Sequence, residues 1–251
     1  MSIDFSKKFS NATNNVFEEI VNIDFSAVEV IMEHAISCRE VAYSIQTNPA
    51  FEFHGCQIST SLHEFRDKLI TADSSLRNVY DKSSVVCESF ETEIETMIKI
   101  MKRKGETQYF KKRLNKLLTK IKDLRRLVEK SHRLILDAKD NKHNIEGNIE
   151  KGLSGAEKFC YNNERYLADI DKAKEKLVIV EDSLYNLHDT SHLLSKMKSI
   201  LMGYEDILLE ITSEVYGENS FEVTRADLNS LNLAIDKLKV CHYKFTQRYE
   251  V

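Results

Sequence analysis

The sequence predicts an all-α protein built from long packed helices, and its composition is the first reason for this fold class. Among 251 residues there are only 7 Gly and 1 Pro, whereas an average domain contains about 7% Gly and about 5% Pro. Sheet folds and loop-rich enzyme folds need frequent tight turns, so this composition disfavours both classes. The hydrophobic fraction of 42% is sufficient for packed helices and argues against wholesale disorder.

The second reason is that apolar residues recur at alternating spacings of four and three along most of the chain. One series runs from Phe110 to Ala138, and only Ser131 interrupts it. Similar series run from Leu62 to Phe90 and from Tyr166 to Leu194. A sustained period of 3.5 residues is typical of helices that pack along a supercoiled seam. Such a rod cannot bury its apolar stripe alone, so it needs partner helices or a second chain.

A few helix breakers divide these series. Asn48-Pro49 is expected to end the first helix, because proline lacks an N–H donor and disfavours helix in the preceding residue. Gly147, Gly152 and Gly155 cluster at a predicted turn between two long helices. The predicted helices cover about 11–47, about 57–146 with a kink near Gly105, about 154–216 and about 224–249.

The sequence predicts a cytoplasmic protein. No stretch approaches the roughly 18 uninterrupted apolar residues of a membrane-spanning helix, and the N-terminus lacks the apolar core of a secretory signal. The cysteines are odd in number, widely spaced and form no CxxC pair, which favours free thiols over a disulfide framework. They are Cys38, Cys56, Cys87, Cys160 and Cys241.

Charge is distributed unevenly along the chain. The formal net charge is −4, but residues 99–142 contain 16 basic and five acidic side chains, an excess of +11 that leaves −15 for the rest. A basic rod suggests a polyanionic partner, either an anionic membrane surface or a nucleic acid. The alternative interpretation is a solvated face of a helical bundle.

The N-terminus forms a second basic and apolar feature. Its apolar positions recur at helical spacing and two lysines lie between the first of them; these residues are Phe5, Phe9, Ala12, Val16 and Ile20, with Lys7 and Lys8. A segment of this kind can lie in a lipid headgroup layer with its apolar face inserted. The alternative is a lead-in to the first helix that packs on the bundle.

Residues suited to catalysis or metal binding are sparse. His188 and His192 lie four residues apart, which is compatible with metal binding, but no third ligand is evident from spacing and Asp189 stands where a metalloprotease motif has Glu. Phosphate-binding glycine loops and nucleophile elbows do not occur. We therefore predict no enzyme activity, no metal and no cofactor.

Four short segments resemble the N-BAR domain family, in particular the endophilins and most closely the endophilin-B branch. They are Phe9–Glu18 after Lys7-Lys8, Gln46–Ala50, Leu69–Asp73 and Arg133–Lys139. The resemblance extends thinly over about residues 5–216. BAR domains are crescent-shaped antiparallel dimers of three-helix coiled coils whose basic surfaces bind anionic membranes.

The resemblance implies an elongated three-helix antiparallel coiled coil that forms a crescent dimer. The expected organisation is an N-terminal amphipathic segment at 1–22, a BAR-like domain at 23–217 and an additional C-terminal helix within 218–251. The chain departs from the family in three respects. Phe51–Ser61 is too short for the endophilin insert, the helix 2 kink around Met97–Gly105 lacks proline, and no SH3 domain follows.

The predicted function is therefore curvature sensing or generation by a homodimer on anionic membranes, as in endocytosis and vesicle trafficking, with peripheral membrane association. The predicted membrane-binding residues are Phe5, Lys7, Lys8, Phe9, Val16, Arg125, Arg126, Lys130, Arg133, Lys139 and Lys142. Other BAR proteins are further expected partners. The leading alternative is a cytosolic coiled-coil scaffold that binds proteins. A nucleic-acid binder is less favoured, since aromatic residues for base stacking are sparse in the basic stretch, and a helical pore-forming toxin lacks an apolar tongue.

Overall fold

The computed structural model describes residues 5–23, 26–102, 107–217 and 224–247, excluding the side chains of residues 5, 27–29, 107, 142–143 and 216–217. Helices account for nearly all of these residues, and no strand occurs among them. The α-helices are α1 (Phe5–Val21), α2 (Ala27–Gln46), α3 (Gly55–Lys102), α4 (Thr107–Asp140), α5 (Lys142–Cys160), α6 (Glu164–Gly217) and α7 (Arg225–Gln247). A 3₁₀ turn, Pro49–Phe51, lies between α2 and α3. The predicted all-α class is confirmed.

Local capping chemistry defines several helix ends. Pro49 occupies the first position of the 3₁₀ turn, and the Asn48 side chain accepts a hydrogen bond from the Ala50 amide at 2.9 Å. At α7, the Asp227 amide donates to Thr224 Oγ1 at 3.1 Å, and the Thr224 amide donates to Asp227 Oδ2 at 2.8 Å. This reciprocal capping box satisfies amides that the first turn of a helix leaves without partners.

The chain divides into two compact units, each assembled from separated segments. Unit 1 comprises Met1–Ile23, Asn78–Glu129 and Leu194–Val251, and unit 2 comprises Asp24–Arg77 and Lys130–Leu193. In unit 1, α1 packs along α7. Helices α1 and α7 therefore both belong to unit 1.

Polar contacts establish the helix directions inside each unit. In unit 1, α3 and α4 contact through Glu93–Arg113 and Ser89–Lys120. In unit 2, the same helices contact through Ser75–Ser131 and Lys68–Asp137. In both units the contacting residue of α4 has a higher number where that of α3 has a lower one. Helices α3 and α4 are therefore antiparallel in each unit.

The predicted apolar series coincide with the cores of the units. The apolar positions of the first two series are all buried: Phe110, Leu114, Leu117, Ile121, Leu124, Val128, Ile135 and Ala138, and Leu62, Phe65, Leu69, Ala72, Leu76, Val79, Val86 and Phe90. In the third series Tyr166 is partly exposed and the others are buried: Ile170, Ala173, Leu177, Val180, Leu184, Leu187 and Leu194. Ser131 is also buried, and its hydroxyl hydrogen-bonds Ser75 Oγ at 2.6 Å. The polar interruption therefore meets a polar partner on the neighbouring helix.

The prediction of one helix over about 11–47 is wrong. The chain forms α1 and α2, which are separated after Val21. The described residues between the two helices include Asn22 and Ser26, whose short polar side chains compete with helical hydrogen bonds. Ser26 is the N-cap residue of α2. The predicted kink at Gly105 lies outside the described residues.

The predicted turn at Gly147–Gly155 is also wrong, because all three glycines lie inside α5. The turn instead follows α5 at Tyr161–Asn163, where the Asn163 side chain accepts a hydrogen bond from the Tyr166 amide at 3.3 Å. A β-carbon at Gly152 would overlap the Ile58 side chain, and one at Gly155 would lie 2.5 Å from His54 Nδ1. These glycines thus permit close helix packing and do not break the helix.

Candidate functional site

The structure places Phe9 and Val16, two of the predicted membrane-binding residues of the N-terminal segment, inside unit 1. Phe9 and Val16 are buried, and the Phe17 ring packs edge-on against Phe90 at 5.0 Å between centroids. The Thr13 hydroxyl hydrogen-bonds the Tyr204 hydroxyl at 2.6 Å. The side chain of Phe5 lies outside the described residues. The apolar face of α1 therefore covers the bundle and does not face solvent.

Lysines of α1 are also connected to the bundle. The Lys8 ammonium lies 2.7 Å from a Glu210 carboxylate oxygen and 3.4 Å from Glu214. The hydrogen bond to Glu210 raises the pKa of Lys8 above its ordinary value. Lys7 is exposed and has its own interaction partner. These contacts favour the interpretation of α1 as a bundle helix.

Many bases of α4 are neutralised by acids on adjacent helices. Arg113 and Lys116 both bind the buried carboxylate of Glu93, at 2.9 Å and 3.3 Å. Arg125 binds Glu205 at 2.9 Å and Glu129 at 2.8 Å. Part of the basic excess in this stretch therefore serves pairing between helices, which the sequence pattern did not reveal.

The remaining predicted bases divide into two groups. Arg126, Lys130 and Arg133 are exposed, and only Arg126 has a described acidic neighbour, Asp123 at 3.4 Å. Lys139 donates a hydrogen bond to His188 Nδ1 at 2.8 Å. The side chain of Lys142 lies outside the described residues. Lys112, which was not selected from the sequence, is another exposed base without a described acidic partner.

The two histidines at metal-compatible spacing interact with each other. Their Nε2 atoms are 3.1 Å apart, and the donation from Lys139 makes His188 Nδ1 an acceptor. His188 then carries its proton on Nε2 and donates it to His192. Within the described residues, no group of three or more His, Cys, Asp and Glu side chains could hold a metal ion.

An open groove lies on unit 2 between α2 and α3. Its volume is about 530 Å³, and its lining includes Ile36, Tyr43 and His63. Ile36 is 53% exposed and Tyr43 is 68% exposed. Arg39, Glu40 and Gln46 complete the lining. This groove combines apolar surface with charges of both signs.

Sequence reasoning missed exposed aromatic residues in unit 2, which we term the aromatic tip: the contacting pair Phe53 and Phe159, and Tyr161, which follows Phe159 by two residues in the sequence. The rings of Phe53 and Phe159 are in edge-to-face contact, with centroids 4.8 Å apart. All three residues lie outside the predicted apolar series, and a large aromatic residue without a place in that spacing is the signal that could have identified them.

No protein-family model matches the chain, and no curated protein matches it significantly. Among the described residues, no helix combines the length and the apolar character needed to cross a membrane.

Proposed function

We propose that the protein is a peripheral membrane protein that binds anionic phospholipid through exposed bases of α4. The observation that carries this proposal is a set of exposed α4 bases in each unit that the acids of the bundle leave largely unpaired. Unit 1 contributes Lys112 and Arg126, and unit 2 contributes Lys130 and Arg133. Paired bases such as Arg125 stabilise the bundle and are not assigned to lipid.

The strength of this contact favours the homodimer that the N-BAR resemblance implies. A base near an anionic surface contributes about 1 kcal/mol, so four bases give roughly 4 kcal/mol, equivalent to a Kd of about 1 mM. Two chains acting together would double that free energy and bring the Kd to about 1 μM. We therefore propose a dimer of BAR-like form that senses or generates curvature.

The proposed first contact does not use α1. Phe9 and Val16 are buried in unit 1, and exposing a side chain of this size costs about 1.5–3 kcal/mol. They would reach a bilayer only after α1 leaves the bundle. The bases of α4 need no such rearrangement.

Vesicle co-sedimentation tests the proposal. We expect binding to vesicles that contain anionic lipid, weakening as salt rises, and little binding to neutral vesicles in the same buffer. The double variant Lys130→Glu/Arg133→Glu should lose affinity by at least about thirtyfold, since two favourable contacts are removed.

The matched control is Lys172→Glu/Lys176→Glu, which makes the same change in net charge at exposed positions of unit 2. It should retain most of the affinity. Equal losses in both variants would show that net charge alone matters and would exclude a defined α4 surface. Scattering in solution tests the dimer separately, and a compact monomer would exclude the BAR-like form.

A second candidate function, a protein-binding scaffold, is favoured by the groove at Ile36 and Tyr43. It predicts no vesicle binding at low salt. A photoreactive residue in place of Tyr43 should cross-link one partner chain, whereas the same residue in place of Tyr185, which is exposed on α6, should not. Vesicle binding that is unchanged in Tyr43→Ala would assign the groove no part in lipid contact.

A further inference from the structure

Two histidine rings converge on the exposed face of α6 in unit 2. The Nε2 atoms of His188 and His192 are 3.1 Å apart, and the rings are almost perpendicular, with centroids separated by 4.5 Å. Both side chains are exposed, so a solute can reach the nitrogen atoms from solvent. The spacing of four residues places the histidines on one helix face, but only the structure shows that the two Nε2 atoms lie close together.

The distance between these nitrogen atoms suits a chelated metal ion. Imidazole nitrogen binds Zn²⁺ at about 2.0–2.1 Å, so an ion held by both Nε2 atoms would form an N–metal–N angle of about 100°. This angle lies between the roughly 90° of square-planar and the roughly 109° of tetrahedral coordination. The two rings therefore need little movement to bind one ion together.

The helix that carries the pair is firmly packed. Leu187 and Leu194 are buried on either side of the histidines, and Ser191 is buried and hydrogen-bonds His132 of α4 at 3.0 Å. The pair lies near the middle of a helix of 54 residues, far from ends that could fray. Ligands on a packed helix are positioned more precisely than ligands on a loop, so this pair is prepared for binding.

Lys139 of α4 determines which nitrogen of His188 carries the proton. Its ammonium donates to His188 Nδ1 at 2.8 Å, so the proton of His188 lies on Nε2 and is shared with His192. An ion can bind both Nε2 atoms only after this proton moves through solvent to Nδ1, because a metal ligand needs a free lone pair. Lys139 then loses its acceptor, and its positive charge repels the ion.

We propose that His188 and His192 form a binding site for a divalent transition-metal ion, and that Lys139 competes with the ion. Imidazole suits zinc, nickel and copper, whereas calcium and magnesium prefer oxygen ligands. Cu²⁺ should bind most tightly, because it has the highest affinity among the divalent first-row ions. No group of three His, Cys, Asp and Glu side chains in the described part of the chain could hold an ion, so water completes the coordination. The site does not depend on the proposed lipid contact.

Calorimetric titration of the full chain with Ni²⁺ tests the proposal. The protein carries no histidine tag and contains Cys56→Ser, which removes the exposed thiol as a competing ligand. We expect one ion per chain, and loss of this binding in His188→Ala and in His192→Ala. Lys139→Met removes the competing charge and should tighten binding about tenfold, as changes beside a metal ligand commonly alter affinity by that factor or more.

A matched control keeps the number of histidines but separates them. His192→Ala/Lys196→His leaves two exposed histidines on α6 that are eight residues apart, or about 12 Å along the helix. This variant should bind Ni²⁺ no better than His192→Ala. Its thermal unfolding midpoint without metal should equal that of the unsubstituted protein, because both changes are at exposed positions.

The Cu²⁺ complex provides a spectroscopic measurement of the ligands. Electron paramagnetic resonance should show two nitrogen ligands in the Cys56→Ser protein and at most one in His192→Ala. Equal Ni²⁺ affinity in the protein with separated histidines would overturn the proposal, because independent histidines would then explain the binding. Absence of Ni²⁺ binding to the Cys56→Ser protein would overturn it as well. Unchanged affinity in Lys139→Met would overturn the competition by Lys139.

Discussion

At the residue scale, the hydroxyl pair of Thr13 and Tyr204 connects α1 to α6 inside unit 1. Tyr204→Phe leaves the Thr13 hydroxyl buried without this partner. We expect the free energy of unfolding to fall by about 1–3 kcal/mol, the usual cost of an unsatisfied buried polar group. Urea unfolding followed by circular dichroism measures it.

Two controls accompany this substitution. Tyr43→Phe removes an exposed hydroxyl and should change the free energy of unfolding by less than about 0.5 kcal/mol. Thr13→Val combined with Tyr204→Phe removes both polar partners and should recover part of the loss. A normal midpoint for Tyr204→Phe would show that α1 is not docked as described.

The thiol of Cys38 predicts a specific dependence of stability on pH. Burial raises the pKa of this thiol from its ordinary value of 9.0 to about 11. The unfolded chain therefore loses the proton first, and stability present below pH 9 is lost as pH rises towards 11. The expected loss is about 3 kcal/mol, measured as urea midpoints under reducing conditions.

Cys38→Ala should have a lower urea unfolding midpoint at neutral pH, because it leaves a cavity. Its midpoint should decline less between pH 9 and pH 11 than that of the unsubstituted protein. Cys56→Ala, at an exposed position, should decline as the unsubstituted protein does. Parallel curves for Cys38→Ala and the unsubstituted protein would contradict the burial of this thiol.

At the element scale, α5 depends on glycine for contact and not for a turn. Gly152→Ala should lower the free energy of unfolding by about 1–3 kcal/mol, because its β-carbon meets the buried side chain of Ile58. Gly147→Ala is the matched control in the same helix, where nothing lies within 4 Å of an added β-carbon. It should stabilise the protein by about 0.5–1 kcal/mol.

Thermal unfolding of both variants provides the measurement. Stabilisation by both substitutions would mean that α5 does not approach α3 closely. The sequence could not distinguish these glycines, because a breaker and a close-contact position carry the same residue type. Only the position of Ile58 on α3 decides between them.

For α1, too, the sequence leaves open what the helix contacts. Its spacing correctly predicts an apolar face, and both a bilayer and a bundle accept such a face. In the structure the polar residues Ser6, Ser10 and Asn14 are buried together with Phe9. A helix lying on a membrane keeps its polar side in water. Because polar and apolar side chains of α1 are both buried, α1 is packed inside unit 1.

At the scale of the whole molecule, the five thiols report on both units at once. Cys56 is exposed, whereas Cys38 and Cys160 of unit 2 and Cys87 and Cys241 of unit 1 are buried. We expect one thiol per native chain to react rapidly with a thiol reagent and all five to react in denaturant, because buried thiols are protonated and inaccessible. The absorbance of the chromophore that the reagent releases gives the number of thiols that have reacted.

Cys56→Ser should abolish the rapid reaction and leave four thiols that react only after unfolding. Rapid reaction of Cys87 or Cys241 would show that α7 does not cover α3 in unit 1. Rapid reaction of Cys38 or Cys160 would show that these thiols are not buried in unit 2 as described.

The sequence alone determined the all-α class, the buried stripes of the long helices and the α7 start near Thr224. Periodicity and the positions of helix breakers are local properties, so they can be read without knowing which helices are neighbours. The uneven charge was equally visible, as was the proline that follows α2.

Only the tertiary structure decided what those faces and charges contact. It paired Arg125 with Glu205, placed Phe9 in a core, and brought Phe53 beside Phe159 across more than a hundred residues of sequence. The physical reason is that burial and ion pairing depend on which helices are adjacent. Spacing along a chain specifies one face of a helix but not the surface that this face meets.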